Sequence, residues 1–239
     1  MIKKILPFKN ELKLIPYILI NFSLSAYGQN ANAEYQNWFD FNGSFTLNES
    51  WKAYADVGYR IIFISEKVHR FYIRPSASFQ INKILILHGG MSLFSTFQNQ
   101  NTLWEFRPFQ GIAIMWPTIF SIPLNHYFRF EERFFSGNSV NTFIFRSRYR
   151  LSTAVQFDKT ADGKYFYIPI QLEWFINYGK DIDFQLNEFR GVMGLGYVID
   201  NYWKVEFNTI FQNLSASTDL FSFNDIIFRF RLYKEFNMN

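Results

Sequence analysis

Arg70-Phe71-Tyr72-Ile73-Arg74-Pro75-Ser76-Ala77-Ser78-Phe79-Gln80-Ile81 alternates strictly. The even positions, Arg70, Tyr72, Arg74, Ser76, Ser78 and Gln80, can all hydrogen-bond, and the odd positions, Phe71, Ile73, Pro75, Ala77, Phe79 and Ile81, are all apolar. Successive side chains of a strand point to opposite faces, so this stretch presents one greasy face and one polar face. The i, i+3, i+4 spacing of an amphipathic helix is missing.

The same period of two returns along the chain. Trp51–Ile61 sets Trp51, Ala53, Ala55, Val57, Tyr59 and Ile61 against Lys52, Tyr54, Asp56, Gly58 and Arg60. Leu124–Arg133, Phe143–Leu151, Phe166–Ile176, Trp203–Phe211 and Ile226–Phe236 alternate likewise, while Trp38–Leu47, Ile84–Phe94, Leu103–Met115 and Phe184–Tyr197 fit less cleanly. Turn residues separate the runs at Asn48-Glu49-Ser50, Asn82-Lys83, 158–164, 178–181 and Asp200-Asn201. Eleven such segments predict a meander of antiparallel strands.

Soluble sandwiches alternate too, so the class is decided by what each face carries. The apolar face is bulky, with Phe, Trp and Tyr gathered toward segment ends, as a lipid-facing band with aromatic girdles requires. All twelve Arg fall inside segments, whereas the eight Lys beyond residue 28 sit mostly near turns or ends. The outer face of a soluble sandwich has no reason to prefer Arg. The packed interior of a closed barrel has one, because guanidinium forks onto carboxylates. The expected lumen network runs from Arg60, Arg70 and Arg74 through Glu105, Arg107, Arg129, Glu131 and Arg133 to Arg146, Arg148, Arg150, Glu173, Glu188, Arg190, Glu206, Arg229 and Arg231, with Asp40, Asp56 and Glu235 as further interior acids.

Each unpaired backbone group in hydrocarbon is costly, so a sheet in lipid must close. The expected fold is therefore all-β: a closed, up-and-down antiparallel transmembrane barrel. Single-chain bacterial barrels have an even number of strands. Parity thus predicts twelve strands, with ten as the alternative, and places a missing strand near Gln29–Tyr35 or between Trp104 and Arg133. With Phe236 ending at the periplasm, the short turns lie on that side, and longer links at 62–68, 97–102, 134–141 and 213–222 face outward. The uncharged stretch Pro108–Phe128 holds three prolines and reads as two strands around a turn at Pro117. No run beyond the N-terminus is long and apolar enough for a helical span.

The chain has 239 residues, no Cys, 31 Phe and a formal charge of +4. Residues 1–28 hold Lys3, Lys4, Lys9 and Lys13 against Glu11, so the remainder is close to neutral and a polybasic nucleic-acid binder is not expected. Leu14–Leu24 is an apolar core, and Ala26 and Gly28 stand at −3 and −1 of a cut before Gln29. This is the pattern of a secretory signal peptide over residues 1–28, leaving a barrel domain over 29–239. The absence of Cys removes disulfide scaffolds, thiolate metal sites, Cys nucleophiles and lipid modification at an N-terminal Cys.

Several phrases in order then resemble the domain-of-unknown-function 2490 family of outer-membrane barrels. They are Trp51-Lys52 leading to Tyr59-Arg60, Glu105-Phe106-Arg107-Pro108-Phe109-Gln110, Arg129-Phe130-Glu131-Glu132-Arg133-Phe134, Arg146-Ser147-Arg148-Tyr149-Arg150, Asn187-Glu188-Phe189-Arg190 and Gly194-Leu195-Gly196-Tyr197. The resemblance covers roughly residues 36–236. It implies the outer membrane of a Gram-negative cell and transfers no activity and no catalytic residue.

Chemistry is sparse. His69, His88 and His126 show no metal-ligand spacing. His88 falls on the interior face with Ser92 four residues on, about 13 Å along a strand and too far for a Ser–His hydrogen bond. The glycines of Gly191-Val192-Met193-Gly194-Leu195-Gly196 sit in a strand pattern and read as close packing. No cofactor and no catalytic constellation is legible. The functional expectation is a structural barrel or narrow pore with a salt-bridged, Arg-rich lumen. The alternatives are an outer-membrane lipid hydrolase or acyltransferase and a secreted soluble β-barrel binding protein. Expected partners are outer-membrane lipid and the barrel-assembly machinery, with no nucleic acid.

Overall fold

The computed structural model of the chain describes residues 34–63, 67–98, 101–119, 122–137, 140–160, 162–179, 182–214 and 225–237. The expected signal peptide at 1–28 lies outside them. The described residues form eleven strands: β1 (Glu34–Thr46), β2 (Trp51–Phe63), β3 (Lys67–Gln80), β4 (Leu85–Gln98), β5 (Asn101–Ile119), β6 (Ile122–Gly137), β7 (Val140–Phe157), β8 (Tyr165–Gly179), β9 (Ile182–Val198), β10 (Trp203–Leu214) and β11 (Asp225–Asn237). Each alternating segment of the sequence corresponds to one of them.

The strands close into a barrel in which sequence neighbours pair antiparallel and β1 meets β11 in parallel. The count is one fewer than the twelve that parity suggested, and the sheet is mixed rather than wholly antiparallel. An even number is needed only when the closing pair is antiparallel. Here the parallel register from Glu34↔Asp225 to Thr46↔Asn237 closes an odd number. Tyr35 belongs to β1, and the region from Trp104 to Arg133 divides between β5 and β6 alone. Across the seam Asp40 pairs with Arg229, Gln36 Nε2 donates to Asp225 at 3.0 Å, and the rings of Phe45 and Phe236 stack with centroids 4.7 Å apart.

The connections at 47–50, 81–84, 158–164 and 199–202 share one end of the barrel, here the turn rim. Three of them use one device. Asn48 Oδ1 accepts from the N–H of Ser50 and Trp51, Asn82 Oδ1 from Ile84 and Leu85, and Asp200 Oδ1 from Tyr202 and Trp203, all within 3.0 Å. A short polar side chain thus replaces the missing backbone partners of a tight turn. At the opposite rim the links expected to be long at 62–68, 97–102 and 134–141 are mostly strand: β2 and β3 pair out to Phe63↔Lys67, β4 and β5 to Gln98↔Asn101, and β6 and β7 to Gly137↔Val140. β5 also runs through Pro117 to Ile119 instead of turning there. Its register with β6 slips between Trp116 and Ile119, a bulge that accommodates a residue with no N–H to donate to the ladder.

Polarity is inverted relative to a soluble domain. Glu131 and Glu105 are 0% and 1% exposed, whereas Phe39 and Phe207 are 49% and 52% exposed. Along β3 the alternation read from the sequence holds: Tyr72 and Ser78 are buried, and Phe71 and Ile73 face outward.

The parallel seam has a direct test in this cysteine-free chain. A Phe45→Cys/Phe236→Cys pair is expected to form an intramolecular disulfide under a membrane-permeant oxidant, seen as a shift in non-reducing gel migration. A strand inserted between β1 and β11 would hold the two backbones about 9–10 Å apart, beyond disulfide reach, and no shift would appear.

Candidate functional site

Four carboxylates organise the lumen. Glu105 on β5 accepts from Arg107 Nε at 2.8 Å, from Arg133 Nε at 2.6 Å and from Arg70. Glu131 on β6 accepts from Arg146 Nε at 2.7 Å, pairs with Arg129 Nε at 3.0 Å and meets Arg107 Nη1 at 3.5 Å. Glu188 on β9 pairs with Arg190 and lies 3.8 Å from Arg146 Nη1. Glu173 on β8 pairs with Arg148 and lies 3.9 Å from Arg190 Nη1. The contacts join end to end, so eleven of the seventeen residues expected in the lumen form one connected network of seven Arg and four Glu. The spacing explains it. An i, i+2 pair such as Glu105 and Arg107 shares a face, and register brings Glu131 opposite Arg146 and Glu173 opposite both Arg150 and Arg190.

The remaining lumen residues form smaller groups. Arg74 binds Asp56 through Nε and Nη2 at 3.0 and 2.7 Å, and Asn42 Nδ2 donates to the same carboxylate at 2.9 Å. Arg229 binds Asp40, and Arg231 Nη1 lies 3.3 Å from Glu206. Arg60 and Arg150 have no carboxylate partner among the described residues. Arg60 lies over the Trp38 ring at 3.8 Å and Arg150 over Tyr127 at 4.8 Å. Glu235 sits at the turn rim, half exposed, 3.3 Å from Lys52.

The charge pattern did not reveal the tyrosines that complete these groups. Tyr72 Oη donates to Asp40 at 2.9 Å, and Tyr167 and Tyr233 donate to Glu206 at 2.7 and 2.8 Å. Two of the rings lie flat over glycines in the neighbouring strand. A Cβ on Gly58 would fall 2.2 Å from the Tyr72 ring, and one on Gly196 would fall 2.2 Å from the Tyr167 ring. Glycine at those positions makes room for a ring to reach its carboxylate. The signal was present as Tyr on the polar parity, directly opposite Gly in register.

The lumen is divided. A cavity of about 610 Å3 opens at the turn rim, where Gly163, Asp200, Asn201 and Tyr202 form its mouth. Eight arginines contribute to its wall: Arg60, Arg74, Arg129, Arg148, Arg150, Arg190, Arg229 and Arg231. Trp38, Phe109 and Ile210 give it apolar patches, and Arg129 lies 3.6 Å over Phe109. Glu105, Arg107, Glu131, Arg133, Arg146 and Glu188 do not line it. Arg107 lies over Phe94 and Arg146 over Phe175, two rings buried to 3% exposure or less, on the side away from the mouth.

His88 shares a hydrogen bond of 3.1 Å with the Tyr127 hydroxyl, and its Nε2 has no partner among the described residues. The Ser–His contact a lipid hydrolase would need is thus replaced by a His–Tyr contact. Ser92 is fully buried, and its hydroxyl meets no partner among the described residues. His69 and His126 share hydrogen bonds with Tyr59 and Tyr149 at 2.6 and 2.8 Å.

A family model described as a protein of unknown function, DUF2490, matches residues 35–222, from the start of β1 to just before β11. The chain belongs to the DUF2490 family. No curated protein matches it. The matched span of this DUF2490 barrel contains all the lumen charges named above except Asp225, Arg229, Arg231 and Glu235.

The network makes a graded prediction. Glu131→Gln leaves three guanidinium groups facing a neutral amide in a buried site, and should lower stability by about 3–5 kcal/mol. Glu235→Gln removes only a half-exposed rim pair, and should change it by less than about 1 kcal/mol. Urea unfolding in detergent, followed by Trp fluorescence, separates the two. Equal effects would contradict a buried network.

Proposed function

We propose that this DUF2490 barrel resides in the outer membrane of a Gram-negative cell, with a lumen sealed by its own ion pairs. The carrying observation is the inverted polarity: 29 large hydrophobic side chains are exposed on the described surface, and the buried set includes Glu105, Arg107, Arg129, Glu131, Arg146 and Glu173. An apolar belt of that size in water is an association liability, whereas against acyl chains it is the ordinary outer surface of a barrel. The signal-like N-terminus supports export, and lipid and the barrel-assembly machinery are then its partners. A secreted soluble barrel would need the opposite distribution.

Within this reading the lumen is structural and non-conducting rather than an open pore. The arginine and glutamate side chains pair with one another across the half of the barrel away from the turn rim, and the cavity is lined by turn-rim residues and not by Glu105, Glu131 or Arg146. The reading assigns no catalytic step.

Fractionation and electrophysiology test both parts. The protein should leave membranes only with detergent, and unheated and boiled samples should migrate differently on gels. In planar bilayers it should give no steady current. Release by buffer alone would overturn the membrane assignment, and a steady ohmic conductance would overturn the sealed lumen.

A further inference from the structure

Six of the eight arginines in the cavity wall have a carboxylate within 4.0 Å. Arg60 and Arg150 line the same wall, have no such partner among the described residues, and each keeps a buried Nε without a hydrogen-bond acceptor. An uncompensated buried cation is costly, and the surrounding network, with its seven Arg against four Glu, supplies no surplus acid. The Arg60 guanidinium lies over the Trp38 ring at 3.8 Å from its centroid and that of Arg150 over the Tyr127 ring at 4.8 Å, so an aromatic ring and not an acid is the neighbour that positions each. His88 lines the same space, with its Nε2 buried and without a partner among the described residues.

We infer that this cavity binds a small phosphate-bearing solute carrying at least two negative charges, held by Arg60 and Arg150 and admitted at the turn rim. Two guanidinium groups with no carboxylate within 4.0 Å among the described residues match the charge of such a ligand, and guanidinium N–H donors suit phosphate oxygens. A volume of about 610 Å3 exceeds what a bare phosphate fills and suits a phosphorylated small molecule. The mouth opens through the lumen at a polar rim and not through the apolar belt, which selects a dissolved ligand over a lipid headgroup. This inference rests on the barrel reading and adds a ligand class to it.

The test uses the full chain folded in detergent, with heat-modifiable migration checked on the same sample. Calorimetric titration with inorganic pyrophosphate should show one site per barrel, weakened by added salt. Arg60→Gln and Arg150→Gln should each reduce affinity about tenfold or more, the range for a lost charge-assisted hydrogen bond. Without ligand, both variants should unfold at the same or higher urea concentration, because each removes an unpaired buried charge. Arg133→Gln, off the cavity wall, should do the reverse, lowering the urea midpoint while leaving pyrophosphate affinity unchanged. Absence of binding to a heat-modifiable barrel, indifference of affinity to both cavity variants, or equal affinity for succinate would overturn the inference. Loss of heat-modifiable migration would instead strike the barrel reading, and the inference with it.

Discussion

A closed sheet gives alternate residues two environments that cannot be exchanged, and a carboxylate turned inward must find its partners there. The interior of eleven strands is too crowded to hydrate Glu105, Glu131 and Glu173, each 2% exposed or less, so their partners have to be protein. Arginine supplies them because one planar group can reach two acids: Arg107 bridges Glu105 and Glu131, and Arg146 bridges Glu131 and Glu188. The network in turn fixes register. Sliding one strand by a single residue would place phenylalanines in the lumen and guanidinium groups outside.

Such a network is not an efficient source of stability. Desolvating its members costs several kcal/mol per ion, and well-packed apolar residues of similar volume would do as well or better. What the charges add is discrimination among registers, which a meander of similar strands needs. The seam shows this most directly. β1 and β11 run parallel, so no hairpin sets their alignment, and Asp40–Arg229 together with Gln36–Asp225 ties the two strands in a single register.

Most of this was legible because period-two alternation leaves a plain trace. The strict run at Arg70–Ile81 lies on β3 as far as Gln80, and the turn residues at Asn48, Asn82 and Asp200 cap three connections of the turn rim. The strand number differs by one from the twelve that parity suggests because parity is a rule about antiparallel closure, and a parallel seam has no local signature in either strand. Pro117 reads as a turn in the sequence because a missing N–H reads alike in a loop and in a bulge. In the lumen, charge spacing located the arginines and glutamates but not their tyrosine partners, since Tyr on a polar face is also common at an aqueous rim. It also could not tell that Arg60 and Arg150 are left without acids, because partners across several strands depend on register and on where the barrel closes.

The claim beneath all of this is that odd residues of the β3 run face hydrocarbon. Spin labels placed singly by cysteine substitution at Phe71, Ile73, Ala77 and Phe79, with Ser76 and Ser78 as inward controls, measure it in reconstituted bilayers through power saturation. The account predicts high accessibility to oxygen and low accessibility to a water-soluble nickel complex at the four odd positions, with oxygen accessibility falling at the two serines. Ready access of the nickel complex to the odd positions, or no alternation along the run, would contradict it.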